Sequence, residues 1–105
     1  MLLATFEQLC QTMRSQNDYI ELAQVYHTVI LSDVKAMNRH LEDATRRFIA
    51  LVDEFYERRV KLIISAEVAL EDLYSGGQLE FEFQRTQSRL IEMQSQDYLS
   101  KEHLS

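Results

Sequence analysis

Several features that mark common functional classes are missing from this sequence of 105 residues, which has no proline, no tryptophan, two glycines and one cysteine. The lone Cys10 excludes an internal disulfide and predicts a reducing, cytosolic compartment. No apolar run approaches the roughly 18 residues of a membrane-spanning helix, and the apolar N-terminus lacks the basic region of a signal peptide. Neither a transmembrane segment nor a secretory leader is therefore predicted.

The charge balance argues against binding to nucleic acids. The chain carries 17 acidic and 11 basic side chains, for a net charge of −6, and the acids are spread along the sequence. Binding to DNA or RNA phosphates requires a basic stripe, which this composition does not supply. The hydrophobic fraction of 46% predicts instead one globular domain spanning residues 1–105.

Motifs for catalysis and metal binding are also missing. The sequence contains no G-x-x-x-x-G-K-[ST], so it lacks the loop and the lysine with which P-loop enzymes hold nucleotide phosphates. His27, His40 and His103 do not have the spacing of metal ligands, and Cys10 has no neighbouring histidine. We therefore predict no catalytic residue, no metal site and no cofactor for this chain by itself.

The apolar pattern predicts an α/β fold, namely a small strand–helix–strand unit with two or three mostly parallel strands, flanked by N- and C-terminal helices. The strands Thr28–Val34 and 60–66 are apolar on both faces, as buried parallel strands are. A helix over about 40–58 connects them, and its length predicts a right-handed crossover. Its apolar face consists of Leu41, Ala44, Phe48, Leu51, Val52 and Phe55. Its polar face carries acid-before-base pairs at i, i+4, which are Glu42/Arg46, Asp43/Arg47 and Glu54/Arg58.

Helices are predicted on both sides of this unit. Ser15 and Asp18 have the spacing of a capping box before a helix over 16–26, and a weak apolar stripe from Phe6 to Met13 predicts a short helix upstream. Ser75-Gly-Gly is a turn, and a last helix over about 85–98 should bury Leu90, Met93 and Ile91. The alternating segment 79–83 fits either a short strand or the start of that helix.

Polar residues end both predicted strands. Asp33 closes the first, where nucleotide-dependent α/β enzymes keep acids for magnesium, although aspartate is also common in turns. Ser65 and Glu67 end the second strand, where polar side chains can face a nucleotide or cap the next short helix. For Asp33 as for Ser65 and Glu67, the residues alone do not decide between a role at a nucleotide site and a role in local structure.

Two pairs of arginines are candidates for contact with a phosphate or with another subunit. Arg46 and Arg47 lie in the first turns of the central helix and can also pair with the acids four residues earlier. Arg85 and Arg89 share one helix face, where their repulsion favours an anionic partner. That partner can be a nucleotide phosphate, or the acidic residues of the same helix.

The order and spacing of several strings resemble the C-terminal portion of the ZapE-type (AFG1-like) cell-division P-loop ATPases, over residues 6–103. The strings are RSQNDYIELA at 14–23, YHTV at 26–29, RRFI at 46–49, LVDEFY at 51–56, VKLIISA at 60–66, FEF at 81–83, SRL at 88–90 and EMQS at 92–95. Met13 and Lys35 stand where the family usually has proline.

The resemblance implies an AAA-like protein that uses ATP and Mg²⁺, with its nucleotide motifs N-terminal to the residues present here. The partners it implies are the N-terminal ATPase half and a division-ring protein, at a cytoplasmic location that can be peripheral to the inner membrane. Apolar strands with open edges further predict a homo-oligomer. The alternative is a self-standing protein-interaction module that has kept the fold without the enzyme.

Overall fold

The computed structural model describes residues 1–12 and 14–104. Met13, which closes the predicted upstream stripe, lies outside the described residues. Each of the three strands that the structure describes is followed by one or two helices. The strands and helices are β1 (Leu2–Thr5), α1 (Phe6–Cys10), α2 (Gln16–Val25), β2 (Thr28–Val34), α3 (Glu42–Glu57), β3 (Lys61–Ala66), α4 (Glu80–Glu92) and α5 (Gln96–Leu99), with 3-10 turns at Arg39–Leu41 and Leu70–Asp72. The predicted α/β class is confirmed.

The three strands of the described chain form one parallel sheet in the order β1-β2-β3. The strand–helix–strand unit of β2, α3 and β3 has the predicted bounds to within a residue at each strand. The third strand, however, is β1 at the N-terminus, whereas the segment 79–83 is the start of a helix, with Leu79 at the N-cap of α4. β1 escapes sequence analysis because it has only four residues, too few for an alternating pattern.

The helix α3 organises the core, as its apolar stripe predicts. Phe48 is fully buried, and its ring lies 6.0 Å from the rings of both Phe6 and Phe83. Tyr74 extends this row, with its ring centroid 5.2 Å from that of Phe83. Leu41 differs from the prediction, because it precedes the first turn of α3 and is only half-buried. An aromatic row therefore joins α1, α3 and α4.

The predicted acid–base pairs along α3 are wrong for two of the three. The Glu42 carboxylate accepts hydrogen bonds from the Tyr74 hydroxyl at 2.7 Å and from the Gln78 amide at 3.1 Å. Glu54 accepts from the Gln16 side chain at 2.8 Å. Spacing within one helix could not predict these hydrogen bonds, because the donors to both carboxylates come from other elements of the fold.

The flanking helices follow the prediction in part. The Ser15 amide donates to the Asp18 carboxylate at 2.8 Å, which confirms the capping box at the start of α2. At the other end, α4 begins at Glu80, five residues earlier than predicted, and stops at Glu92 before the separate turn of α5. Ile91 is exposed rather than buried, because the helix turns that face away from α3.

One face of the sheet is covered and the other is open. Two right-handed crossovers between neighbouring strands place their helices on the same side. On the opposite side, Leu3, Ile30 and Ile63 lie in one row across the three strands. Leu3 is 68% exposed and Ile63 is 53% exposed. Parallel sheets are normally covered on both faces, so this row is an apolar surface without a partner in the described chain.

None of the helices within residues 1–12 and 14–104 is both long and apolar enough to cross a bilayer.

Candidate functional site at the carboxyl edge of the sheet

The carboxyl ends of the three strands open onto a crevice of about 640 Å³. Each strand contributes the residues at or just after its end, together with α1. The lining consists of Thr5, Glu7, Gln8, Gln11, Asp33, Val34, Lys35, Ser65, Ala66 and Glu67. Ligands of open α/β sheets bind at this edge. The structure thus brings together three of the candidates named from the sequence, Asp33, Ser65 and Glu67.

Asp33 lies in an irregular part of β2. Its φ is +58°, the left-handed region, which aspartate tolerates better than most residues. The register with β3 shifts between Leu31 and Val34, so the pairing resumes at Val34 with Ala66. A bulge of this kind redirects a side chain at the end of a strand. Val34 returns to the core, and Asp33 is left exposed at the crevice.

Glu67 holds the chain as it leaves the neighbouring strand. Its carboxylate accepts a hydrogen bond from the Ala36 amide at 2.8 Å, and its own amide donates to the Val34 carbonyl at 3.1 Å. These two bonds join the exits of β2 and β3 in place of ladder pairing. Ser65, two residues earlier and within β3, is exposed and lines the same crevice.

The charges of the crevice oppose a phosphate ligand. Glu7, Asp33 and Glu67 contribute three carboxylates, whereas Lys35 contributes the one basic side chain of the lining. Within residues 1–12 and 14–104, no group of three or more histidine, cysteine or acidic side chains has the geometry to hold a metal ion. The crevice is therefore suited to a cationic group such as an arginine or lysine side chain.

Arg46 and Arg47 have different surroundings. Arg46 is exposed on the outer face of α3. The Arg47 guanidinium donates to the Cys10 carbonyl at 3.2 Å and so ties α3 to the end of α1. Burial raises the pKa of the Cys10 thiol to about 12, and the positive charge of Arg47 opposes that shift. Cys10 is thus a neutral core residue.

Arg85 and Arg89 meet the anionic partner that their spacing favours, and it lies on another helix. Asp53 of α3 accepts from Arg89 at 2.5 Å and from Arg85 at 3.3 Å. Arg89 also lies 3.8 Å from Glu57, and its guanidinium stacks 4.8 Å from the centroid of the Tyr56 ring. This cluster joins α3 to α4 at a partly exposed surface.

Among the described residues, the ion pairs of these two arginines are with acids of α3, not with acids of α4 itself. Glu92 accepts from the Tyr56 hydroxyl at 2.7 Å, which raises the pKa of that tyrosine. Sequence analysis did not single out Asp53, because pairing between helices follows from their packing and leaves no local spacing to read. The available signal for this pairing was that the polar face of α3 carries acids and that of α4 carries arginines.

The structure also brings together two histidines that the sequence separates. The His27 and His103 rings lie 4.5 Å apart, and His103 Nε2 is 2.5 Å from the Ala23 carbonyl at the end of α2. The C-terminal segment is held further by the Leu104 amide, which donates to the Arg58 carbonyl at 2.8 Å. The pair therefore fastens the C-terminal segment to the body of the fold.

Comparison with known proteins identifies similar sequences along almost the whole chain. The family model described as AFG1-like ATPase matches residues 1–102. The cell division protein ZapE of Escherichia coli K12 is 59% identical over 99% of this chain, which spans 28% of ZapE. Lactation elevated protein 1 homolog B of Danio rerio is 33% identical over 92% of the chain, which spans 19% of that relative. No solved structure matches. The chain thus spans less than a third of the length of these relatives.

Proposed function

Because this chain belongs to the AFG1-like ATPase family, we propose that it is the C-terminal α/β portion of a ZapE-like, division-ring-associated ATPase and is not catalytic alone. One observation carries the proposal: a chain that matches the family along nearly its whole length contains no phosphate-binding loop. Nucleotide binding then belongs to the part of the longer relatives that this chain does not cover.

Nucleotide and Mg²⁺ are the cofactors expected of the full-length protein, and the residues present here do not fit them. The crevice at the carboxyl edge has three carboxylates against Lys35, which disfavours a triphosphate. Both arginines of α4 already pair with Asp53, and Arg89 also lies 3.8 Å from Glu57. We therefore assign ATP to the N-terminal half and no chemical step to this chain.

The exposed charges fit contact with that half. Arg85 keeps 61% of its side chain exposed while it contacts Asp53, and Arg46 is exposed on α3. Both can reach a neighbouring subunit or domain, whereas Arg89 is held more tightly, with 22% exposed. In the crevice, the exposed Asp33 would receive a basic side chain of the ATPase half. The protein would act in the cytoplasm, peripherally at the inner-membrane division site.

Calorimetry and a steady-state ATPase assay test the proposal. The isolated chain should neither bind MgATP at micromolar concentrations nor hydrolyse it, because no backbone amides surround the phosphates. A chimera in which residues 1–105 replace the matched segment of E. coli ZapE should hydrolyse ATP. Micromolar, magnesium-dependent binding of ATP by the isolated chain would contradict the assignment.

A self-standing interaction module is the second candidate. The covered side of the sheet favours it, because Phe48, Leu51 and Phe55 are fully buried without help from another domain. Comparing urea unfolding of the chain alone and within the chimera separates the two functions. A module should have the same stability in both, whereas a portion of an ATPase should be more stable beside its missing half.

A further inference from the structure

The outer edge of β1 has main-chain groups without a strand partner. Among the described residues, β1 pairs with β2 alone and ends the sheet. The Thr5 amide donates to the Gln8 side chain at 3.0 Å, so it points away from β2, whereas the Ala4 carbonyl lies 3.4 Å from the Ser32 hydroxyl of β2. Alternation along a strand then directs the amide and carbonyl of Leu3 outward, as for Thr5.

A groove of about 500 Å³ runs beside this edge, between β1 and α2. Its apolar lining includes Leu3 and Val25, which are 68% and 64% exposed, together with half-buried Leu22 and Tyr26. Glu21 lies at its polar rim. Edge strands of soluble proteins are usually protected by charges, proline or a covering element, and β1 carries neither charge nor proline.

We propose that the outer edge of β1, with the groove between β1 and α2, receives an extended strand from the remaining part of the full-length protein. This inference rests on the proposed function. An edge strand flanked by an apolar groove is the geometry of strand addition, in which main-chain bonds supply affinity and the groove selects side chains. The incoming strand should place an apolar residue against Leu22 and Val25 and a basic residue near Glu21.

The small size of the edge decides between a tethered strand and a separate partner. β1 has four residues, and pairing along it buries much less than the roughly 800 Å² per partner of a stable complex. A tethered segment needs less area, because its effective concentration is on the order of millimolar. The relatives contain additional sequence from which such a segment can come, since this chain spans 28% of ZapE.

Amide hydrogen exchange at Leu3 tests the proposal in the isolated chain and in the chimera with E. coli ZapE. The Leu3 amide should exchange rapidly in the isolated chain and at least about 100-fold more slowly in the chimera. The Val29 amide, in the central strand, serves as a reference that should be protected in both proteins. If the chimera fails to fold, the position of intact E. coli ZapE that aligns with Leu3 provides the same measurement.

A proline substitution gives an independent readout. Leu3→Pro removes the outward amide, which costs little where that edge is free. The matched control Leu3→Val keeps the amide. In the isolated chain the two variants should have similar urea midpoints. In the chimera only Leu3→Pro should lower the midpoint and speed amide exchange in the incoming strand at the outer edge of β1.

Three results would overturn the strand-addition proposal. The first is equally rapid exchange at Leu3 in the isolated chain and in an ATPase-active chimera, which would leave the proposed function standing. The second is a Leu3→Pro effect equal to that of Leu3→Val in the chimera. The third is protection of Leu3 in the isolated chain that grows with concentration, since the occupant would then be a second copy. Failure of the proposed function is recognised separately, by micromolar MgATP binding to the isolated chain.

Discussion

Replacing Phe48 by alanine should be the most destabilising single truncation of a core side chain. Phe48 is fully buried on α3, and it contacts Phe6 of α1 and Phe83 of α4 at ring-centroid distances of 6.0 Å each. Removing a buried phenylalanine ring costs about 3–5 kcal/mol, the sum of lost transfer energy and the cavity that remains. Loss of two aromatic pairs, each contributing about 0.5–1.5 kcal/mol, favours the upper part of that range.

Urea denaturation of the isolated chain, followed by circular dichroism, measures this effect. Domains of this kind are stable by about 5–15 kcal/mol, so Phe48→Ala should remove about a fifth or more of the free energy of unfolding. Phe81→Ala is the matched control, because Phe81 is 83% exposed on α4 and its truncation should change stability by at most about 0.5 kcal/mol. A loss below about 1 kcal/mol for Phe48→Ala would refute the assigned packing of α3.

Three further outcomes are expected. Burial raises the pKa of Cys10 from 9.0 to about 12 in the folded state, so the neutral thiol should contribute its full stability below pH 9 and lose that contribution as the pH rises toward about 12. Chemical denaturation across this range should show a loss of up to about 4 kcal/mol in the free energy of unfolding, and the loss should be smaller in Cys10→Ala. Asp53→Asn should cost about 1 kcal/mol through loss of its arginine pairs, against little change for Glu82→Gln, in urea melts. The isolated chain should self-associate at high micromolar concentration through the open sheet face, and Ile63→Lys should weaken this; light scattering that gives a 12.4 kDa monomer for the unmodified chain would contradict it.

The central unit of the fold is predictable from sequence because its signals are local. Two apolar β-branched runs and one amphipathic helix specify β2, α3 and β3 without knowledge of their neighbours. The segment 79–83 is different, since alternation at Leu79, Phe81 and Phe83 fits a strand as well as a helix. Packing decides it: in α4 Phe83 stacks on Phe48, and the exposed Phe81 is what an amphipathic helix leaves outside.

The site is predictable only as far as topology determines it. Residues at the carboxyl ends of parallel strands must share one edge, so Asp33, Ser65 and Glu67 could be grouped from sequence. Their local geometry could not be, because the bulge at Asp33 and the bond from Ala36 to Glu67 depend on how the exits of β2 and β3 meet.

The open face of the sheet connects stability to function. Burying an aliphatic side chain fully stabilises a protein by about 1.5–3 kcal/mol, so covering the remaining exposed parts of Leu3, Ile30 and Ile63 is worth roughly 3 kcal/mol together. That gain is comparable with the loss expected for Phe48→Ala. The isolated chain should therefore tolerate damage to its aromatic row poorly, whereas the full-length protein should retain its fold. A self-standing module would have to be stable without this contribution. If Phe48→Ala unfolds the isolated chain but not the chimera, the chain is a portion of an ATPase rather than an independent domain.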